Sequence, residues 1–276
     1  MSLSMSTRTL TQPADTRHED DEDGGLHGSD RTVLGRIAVI MAAFSDGRQV
    51  LSLGDLRERT RLPKSTLHRL ADQLCGVGWI ERDPGGYRVG LRMFELGSLA
   101  VAGTRLQEAA LPHLQALAAR TGMAAQLGVL DQAEVVYLER VTSGPLRLPT
   151  RRGGRKPAHC TALGKALAAF DDESVQDVVS ARMPRRTANT ITEPLALHAE
   201  LMRVREAGVA FDRGEVYEGL ACVAAPIRGG DRVIAAVSVT GPVGRMRWAA
   251  LAEAVSGTAE AIRNANLSAG GVAARQ

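Results

Sequence analysis

The sequence predicts an α+β protein in two parts, and three observations predict it. Apolar residues recur at helical spacing three times between Thr32 and Leu74, and two short strand-like runs then flank Asp83-Pro84-Gly85-Gly86. Beyond about residue 106, helical runs are interleaved with apolar strands that come in pairs around tight turns, the pattern of an antiparallel sheet with helices grouped about it. At 276 residues with 44% hydrophobic side chains, the chain can bury two modest cores rather than one.

Residues 1–30 carry 2 basic and 7 acidic side chains and few apolar ones, so they are expected to form a disordered acidic tail. A first helix follows, with Val33, Ile37, Ile40, Met41 and Phe44 on one stripe, and "SDGRQV" breaks it. Ser52 is a natural N-cap for "LGDLRERT", whose Leu53 and Leu56 face inward. After a turn at Arg61-Leu62, Pro63 suits the first position of a third helix over 63–74, because its missing N–H would be unpaired there anyway. Leu67, Leu70, Ala71 and Leu74 make the buried stripe of that helix. Strands over 79–82 and 87–89 then close a hairpin. Three helices and a hairpin make a winged helix-turn-helix over 31–90. The run "LRMFELGSLAVAGTRL", with Leu91, Phe94, Leu96 and Leu99 apolar, reads as a linker helix over 91–105.

The second domain, 106–270, opens with the helix "LQEAALPHLQALAART" and the strands "MAAQLGVL" and "EVVYLERV" about a turn at Asp131-Gln132. Helices "TALGKALAAF" and "PLALHAELMRVREAG" follow. Strands "GLACVAAPI" and "VIAAVSVTG" flank "RGGD", and "RWAALAEAVSGTAEAIRNA" closes the chain as a helix.

Charge divides unevenly along this plan. Residues 31–92 hold 11 basic and 6 acidic side chains, so the small helical domain is basic while the whole chain is only +3. A local excess of this kind is the electrostatic footprint of a polyanion partner. In a helix-turn-helix the second helix lies in the major groove with its N-terminal residues at the base edges. Here that N-terminus is Pro63-Lys64-Ser65-Thr66. Ser65 and Thr66 supply short donors suited to phosphate, Lys64 and Arg69 long cationic ones, and His68 is placed to reach a base edge. Tyr87 and Arg88 on the hairpin are the wing candidates. The competing reading, an ordinary amphipathic surface helix, explains the helix but not its agreement with the proline, the hairpin and the local charge.

Other classes are disfavoured. No apolar run approaches the roughly 20 residues that span a bilayer, and the first residues lack a hydrophobic signal core, so a cytoplasmic protein without a membrane partner is expected. Cys75, Cys160 and Cys222 are widely spaced and suggest no disulfide framework. Gly164-Lys165 is not a phosphate-binding loop: His159 stands where such a loop needs glycine, and Ala166 where it needs Ser or Thr. No G-x-S-x-G elbow occurs, so an esterase or thiol enzyme is the second reading and no catalytic residue is assigned. An architectural DNA binder without a ligand is the third, disfavoured by the size of the second domain. Aromatic residues are only 3%, which suggests no aromatic cage.

The stretch "LPKSTLHRLADQL…GWIERDPGGYRVGLRMFELG" resembles the N-terminal half of the IclR family of bacterial transcriptional regulators. The second half is similar too: "LPHLQALAARTG", "VVYLERV", "GRKPAHCTALGKALAAF", "TITEPLALHAELMRVREAGVAFDRGE" and "EGLACVAAPIRGGDRVIAAVSVTGP" follow in the family's order, covering about residues 31–268. One departure is Arg61, where the family usually has Gly before "LP"; a positive φ there would cost an arginine. The resemblance implies a C-terminal domain similar to GAF-type sensor folds that binds a small carboxylate and adjusts binding to a double-stranded DNA operator. One recognition helix buries too little surface for the affinity of a regulator, and the apolar connector Leu91 to Leu106 offers a pairing surface, so a homodimer or a dimer of dimers is expected.

Several residues support a ligand site in their own right. His159, Cys160 and Thr161 precede the helix from Ala162, a favourable place for an anionic group. Ser238 and Thr240 alternate on one face of an otherwise apolar strand, and Cys222 lies in "LACVAAPI". The bland alternative is small polar residues at a strand end. Asp212 and Glu215 in "FDRGE" complete the expected set; with His159, Cys160 and Cys222 they make a conceivable zinc site, but no metal and no cofactor is assigned.

Overall fold

In the computed structural model, which describes residues 32–45, 47–99, 101–144 and 147–273, the first helix α1 (Val33–Ala42) starts where Thr32 Oγ1 accepts the Gly35 amide at 3.0 Å. The acidic segment 1–30 lies outside the described residues. Helix α2 (Leu53–Thr60) opens on a reciprocal capping box: Ser52 Oγ accepts the Asp55 amide at 3.1 Å and Asp55 Oδ2 accepts the Ser52 amide at 2.8 Å. Helix α3 (Lys64–Gly76) begins one residue later than the sequence suggests. Pro63 keeps an extended ψ of 140° and contributes only its carbonyl, to the Leu67 amide at 2.9 Å, so it is the N-cap and not the first helical residue. Strands β1 (Ile80–Asp83) and β2 (Gly86–Val89) pair in register, Asp83 against Gly86, leaving a two-residue turn. Ile40, Leu51, Leu56, Leu67, Leu70, Leu74 and Ile80 form the core of this domain. Val33, expected on the inner stripe of α1, is instead exposed in its first turn.

The linker is not one helix. Helix α4 (Leu91–Ser98) ends where Ser98 Oγ donates to the Glu95 carbonyl, a local bond that competes with helix continuation beside Gly97. Helix α5 (Val101–Thr121) then runs through Pro112 straight into the second domain, so the expected boundary at 105/106 falls inside a helix.

That domain is a six-stranded antiparallel sheet in the order β5 (Arg155–Pro157), β4 (Glu134–Thr142), β3 (Ala124–Asp131), β8 (Arg232–Pro242), β7 (Leu220–Gly229), β6 (Ala210–Asp212). Helices α5 and α9 (Trp248–Ala273) cover one face, burying Leu127, Val223, Val237 and Val239. Helices α6 (Ala162–Ala168), α7 (Asp172–Ser180) and α8 (Pro194–Ala207) cover the other with Val135, Ala224 and Ala236. The period-2 alternation of β7 and β8 therefore feeds two cores at once. Gly164 decides how deeply α6 seats. A Cβ there would lie 2.3 Å from the Ala158 backbone, so the glycine of the "GK" pair is a packing residue. Strand β5 and helix α7 have no counterpart in the sequence reading: β5 is three residues long, and α7 depends on a single cap, Asp171 accepting the Ser174 amide at 2.9 Å.

Candidate functional site

Two places carry the candidate residues. On the first domain, Lys64, Ser65, His68 and Arg69 are exposed and Thr66 is half-buried, all opposite the apolar stripe of α3. Lys64 and Arg69 have no ion-pair partner among the described residues. His68 Nδ1 lies 3.1 Å from Asp72 Oδ2, and Arg82 holds the other oxygen of that carboxylate at 2.5 Å. Arg88 is exposed but donates to Glu81 Oε2 at 2.8 Å, so it must exchange partners before meeting phosphate.

Tyr87 is a correction. It is 5% exposed, part of the domain core, and cannot serve as a wing contact. Ile80 and Arg82 share a face by alternation, and Tyr87 pairs with Arg82, so register turns the phenol inward. The Arg82 guanidinium stacks 5.7 Å from its ring.

On the second domain, the sheet register builds a cavity floor. The alternation that turns Val237 and Val239 towards α5 and α9 turns Ser238 and Thr240 the other way. Ala124, Thr240, Cys222 and Asp212 stand in one row across β3, β8, β7 and β6, and Gln126 is opposite Ser238. The loop into α6 and the segments about Thr150 and Tyr217 stand over this floor and leave a cavity partly open to solvent. Thr240 Oγ1 donates to Gln126 Oε1 at 2.9 Å and lies 3.0 Å from Cys222 Sγ; Gln126 Nε2 donates to Thr150 Oγ1 at 2.7 Å. Ser238 Oγ is buried and has no hydrogen-bond partner among the described residues. Burial raises the Asp212 carboxyl above the usual carboxylate range, opposed by the Glu215 amide that donates to Oδ1 at 2.6 Å.

Six expected residues thus meet at the cavity: Thr161, Ala162, Asp212, Cys222, Ser238 and Thr240. Three do not. His159 is buried beside it with Nε2 3.3 Å from the Pro184 carbonyl, and burial lowers its pKa, so it is a neutral donor within the wall. Cys160 turns its sulfur towards the Pro157 carbonyl at 3.8 Å. Glu215 Oε1 accepts from Lys165 Nζ at 2.6 Å, and the fully buried ammonium also lies 3.8 Å from Glu200. The helix start is less open to an anion than expected, because Thr161 Oγ1 takes the Gly164 amide at 3.1 Å. Among the described residues no three His, Cys, Asp or Glu side chains are grouped to hold a metal ion. Burial pushes the Cys160 thiol up to about 12 and the Cys222 thiol well above its ordinary value, the opposite of an activated nucleophile.

Gln126, Tyr137, Lys156 and Tyr217 line the cavity without having been expected. The one polar residue inside "MAAQLGVL" was a usable signal for Gln126. Low aromatic content was misleading, since two of the three tyrosines of the chain lie here.

Comparison with known proteins bears on both places. The IclR helix-turn-helix domain model matches residues 33–84, and the model "Bacterial transcriptional regulator IclR C-terminal" matches residues 98–264. The chain is 34% identical to the HTH-type transcriptional regulator XynR of Escherichia coli K12, over 79% of this chain and 88% of that protein. It is also 34% identical to the glycerol operon regulatory protein of Streptomyces griseus, over 77% and 85%. An IclR homolog from Microbacterium hydrocarbonoxydans, solved in complex with 4-hydroxybenzoate, superposes with a TM-score of 0.78 at 31% identity, covering 86% of this chain and all of that one. Among the described residues no helix is long and apolar enough to cross a membrane.

Proposed function

The chain belongs to the IclR family of bacterial transcriptional regulators, a DNA-binding and non-enzymatic family with an effector-binding C-terminal domain, and from that premise we propose that its effector is a small organic acid taken up over the sheet floor. The observation that carries this reading is the cavity over the sheet, with the Ser238 hydroxyl on its floor unpartnered among the described residues, hydrogen-bonding groups beside it and apolar walls around. The neighbour bound to 4-hydroxybenzoate supports an acid of this size.

On the DNA side, α3 enters the major groove of an operator, with Lys64, Arg69 and His68 reaching towards base edges or phosphate and Ser65 and Thr66 bonding phosphate. Two such helices in a homodimer, or four in a dimer of dimers, read a near-palindromic site, and operator binding implies a cytoplasmic protein. The effector alters operator affinity only by binding two arrangements of the assembly unequally. Helix α5, which leaves the linker and packs on the opposite face of the sheet, supports that route.

The test is Ser238→Val, which fills the floor with an apolar group. The effector found by thermal-shift screening of small acids should lose its influence on operator binding, while affinity without effector stays within a few-fold. An unchanged response at the same effector concentration would put the ligand elsewhere.

A further inference from the structure

The cavity is lined by one cation and one carboxylate among the described residues, and they come from different edges of the sheet. Lys156 comes from β5, one edge of the sheet, and Asp212 from β6, the other. The floor between them is neutral: Gln126, Ser238, Thr240 and Cys222. Lys156 is half-buried with its ammonium 5.2 Å from the centre of the Tyr217 ring, and it has no ion-pair partner among the described residues. Asp212 is buried; Oδ1 accepts the Glu215 amide, the Gly214 amide and the Cys222 thiol also hydrogen-bond to the carboxylate, and the buried Lys165 is committed to Glu215.

These two ends want different things. An unpaired ammonium stacked on an aromatic ring attracts an anionic group, and a buried carboxylate attracts a hydrogen-bond donor. A second anion beside Asp212 would bring like charges together in a desolvated place, which costs far more than it does in water. We propose that the effector is a hydroxy monocarboxylate, its carboxylate received by Lys156 and its hydroxyl donated to Asp212, and that dicarboxylates of the same length are rejected. This rests on the acid-binding reading above and deepens it. Tyr137 and Leu163 at the walls suit a short hydrocarbon or single-ring body between the two poles.

The experiment compares two length-matched series by calorimetry on the full-length protein: 4-hydroxybenzoate, benzoate and terephthalate, and 4-hydroxybutyrate, butyrate and succinate. In at least one series the hydroxy acid should bind at least about 10-fold more tightly than the plain acid, and the dicarboxylate weakest of the three. Asp212→Asn keeps an oxygen for the Glu215 amide and offers an N–H to a second carboxylate, so it should narrow or reverse the discrimination against the dicarboxylate. Lys156→Gln should weaken both acids about 10-fold or more yet preserve the ratio of hydroxy to plain acid. Melting temperatures without ligand report folding. If Asp212→Asn does not fold, the wild-type series and Lys156→Gln decide. Dicarboxylates that bind wild type as tightly as hydroxy acids, or full affinity in Lys156→Gln, overturn the proposal while leaving the acid-binding cavity standing. No binding by any of the six overturns the acid-binding reading and this one with it.

Discussion

Arg61 shows how a single residue can be strained inside an otherwise well-specified motif. It closes α2 in the left-handed conformation, φ 55° and ψ 14°, with its amide donating to the Arg57 carbonyl at 2.9 Å. A left-handed L-residue costs about 1–2 kcal/mol, and glycine, free of that cost, loses about 0.5–1 kcal/mol of extra backbone entropy on folding. Arg61→Gly should therefore stabilise the DNA-binding domain by up to ~1 kcal/mol, less whatever the guanidinium's own contact contributes. A urea melt followed by Trp79 fluorescence would test this, and a lower midpoint would contradict it. The strain was legible only through the family resemblance, which puts glycine at this turn. Tyr87 was not, because whether an aromatic on a two-stranded wing faces in or out depends on which residue it opposes. That is a property of register, and a one-residue slip inverts it.

At the scale of elements, legibility followed sustained periodicity. The apolar stripe of α3 and the alternating strands β7 and β8 declare themselves over ten or more residues, and the structure has them where expected. Strand β5 does not, and Lys156 and its place in the cavity went unseen with it: a three-residue edge strand exists only because β4 is there to pair with. The cavity floor was half legible for the same reason. Ser238 and Thr240 lie on one strand and could be read together, whereas Gln126 joins them only through the β3–β8 pairing, 114 residues away from its partner Thr240. The α3 surface yields a prediction that separates two roles. Arg69→Ala should cost roughly 1–3 kcal/mol of operator binding and relax specificity if the guanidinium meets a base; a phosphate-only role would weaken all sequences alike and lower the salt slope by about one. Unchanged affinity on both operator and random DNA, with folding intact, would take this helix out of the groove.

For the whole molecule, the proposed pairing of copies needs a surface, and the linker offers one. Helix α4 buries none of its own residues in the single chain, yet Leu91 at 63% and Phe94 at 72% exposure, with Leu99 at 70% just past its end, make an apolar set too large for a solvated connector. It also lies along the chain between the basic domain and the sheet domain. A lone recognition helix buries too little surface for the affinity of a regulator, so the operator binding proposed above would need a second copy. Phe94→Glu combined with Leu99→Glu should leave each domain folded, because neither side chain belongs to a core, and should oppose like charges across the pair. The expected result is a lower mass by light scattering or, where the sheet domains still hold the copies together, operator affinity reduced by about 100-fold or more with single half-site binding unchanged. The near-equality of half-site binding matters most, since it distinguishes lost pairing from a damaged α3. If the double variant keeps both its mass and its full-operator affinity, the exposed face of α4 has another use and the copies pair through the sheet domains alone.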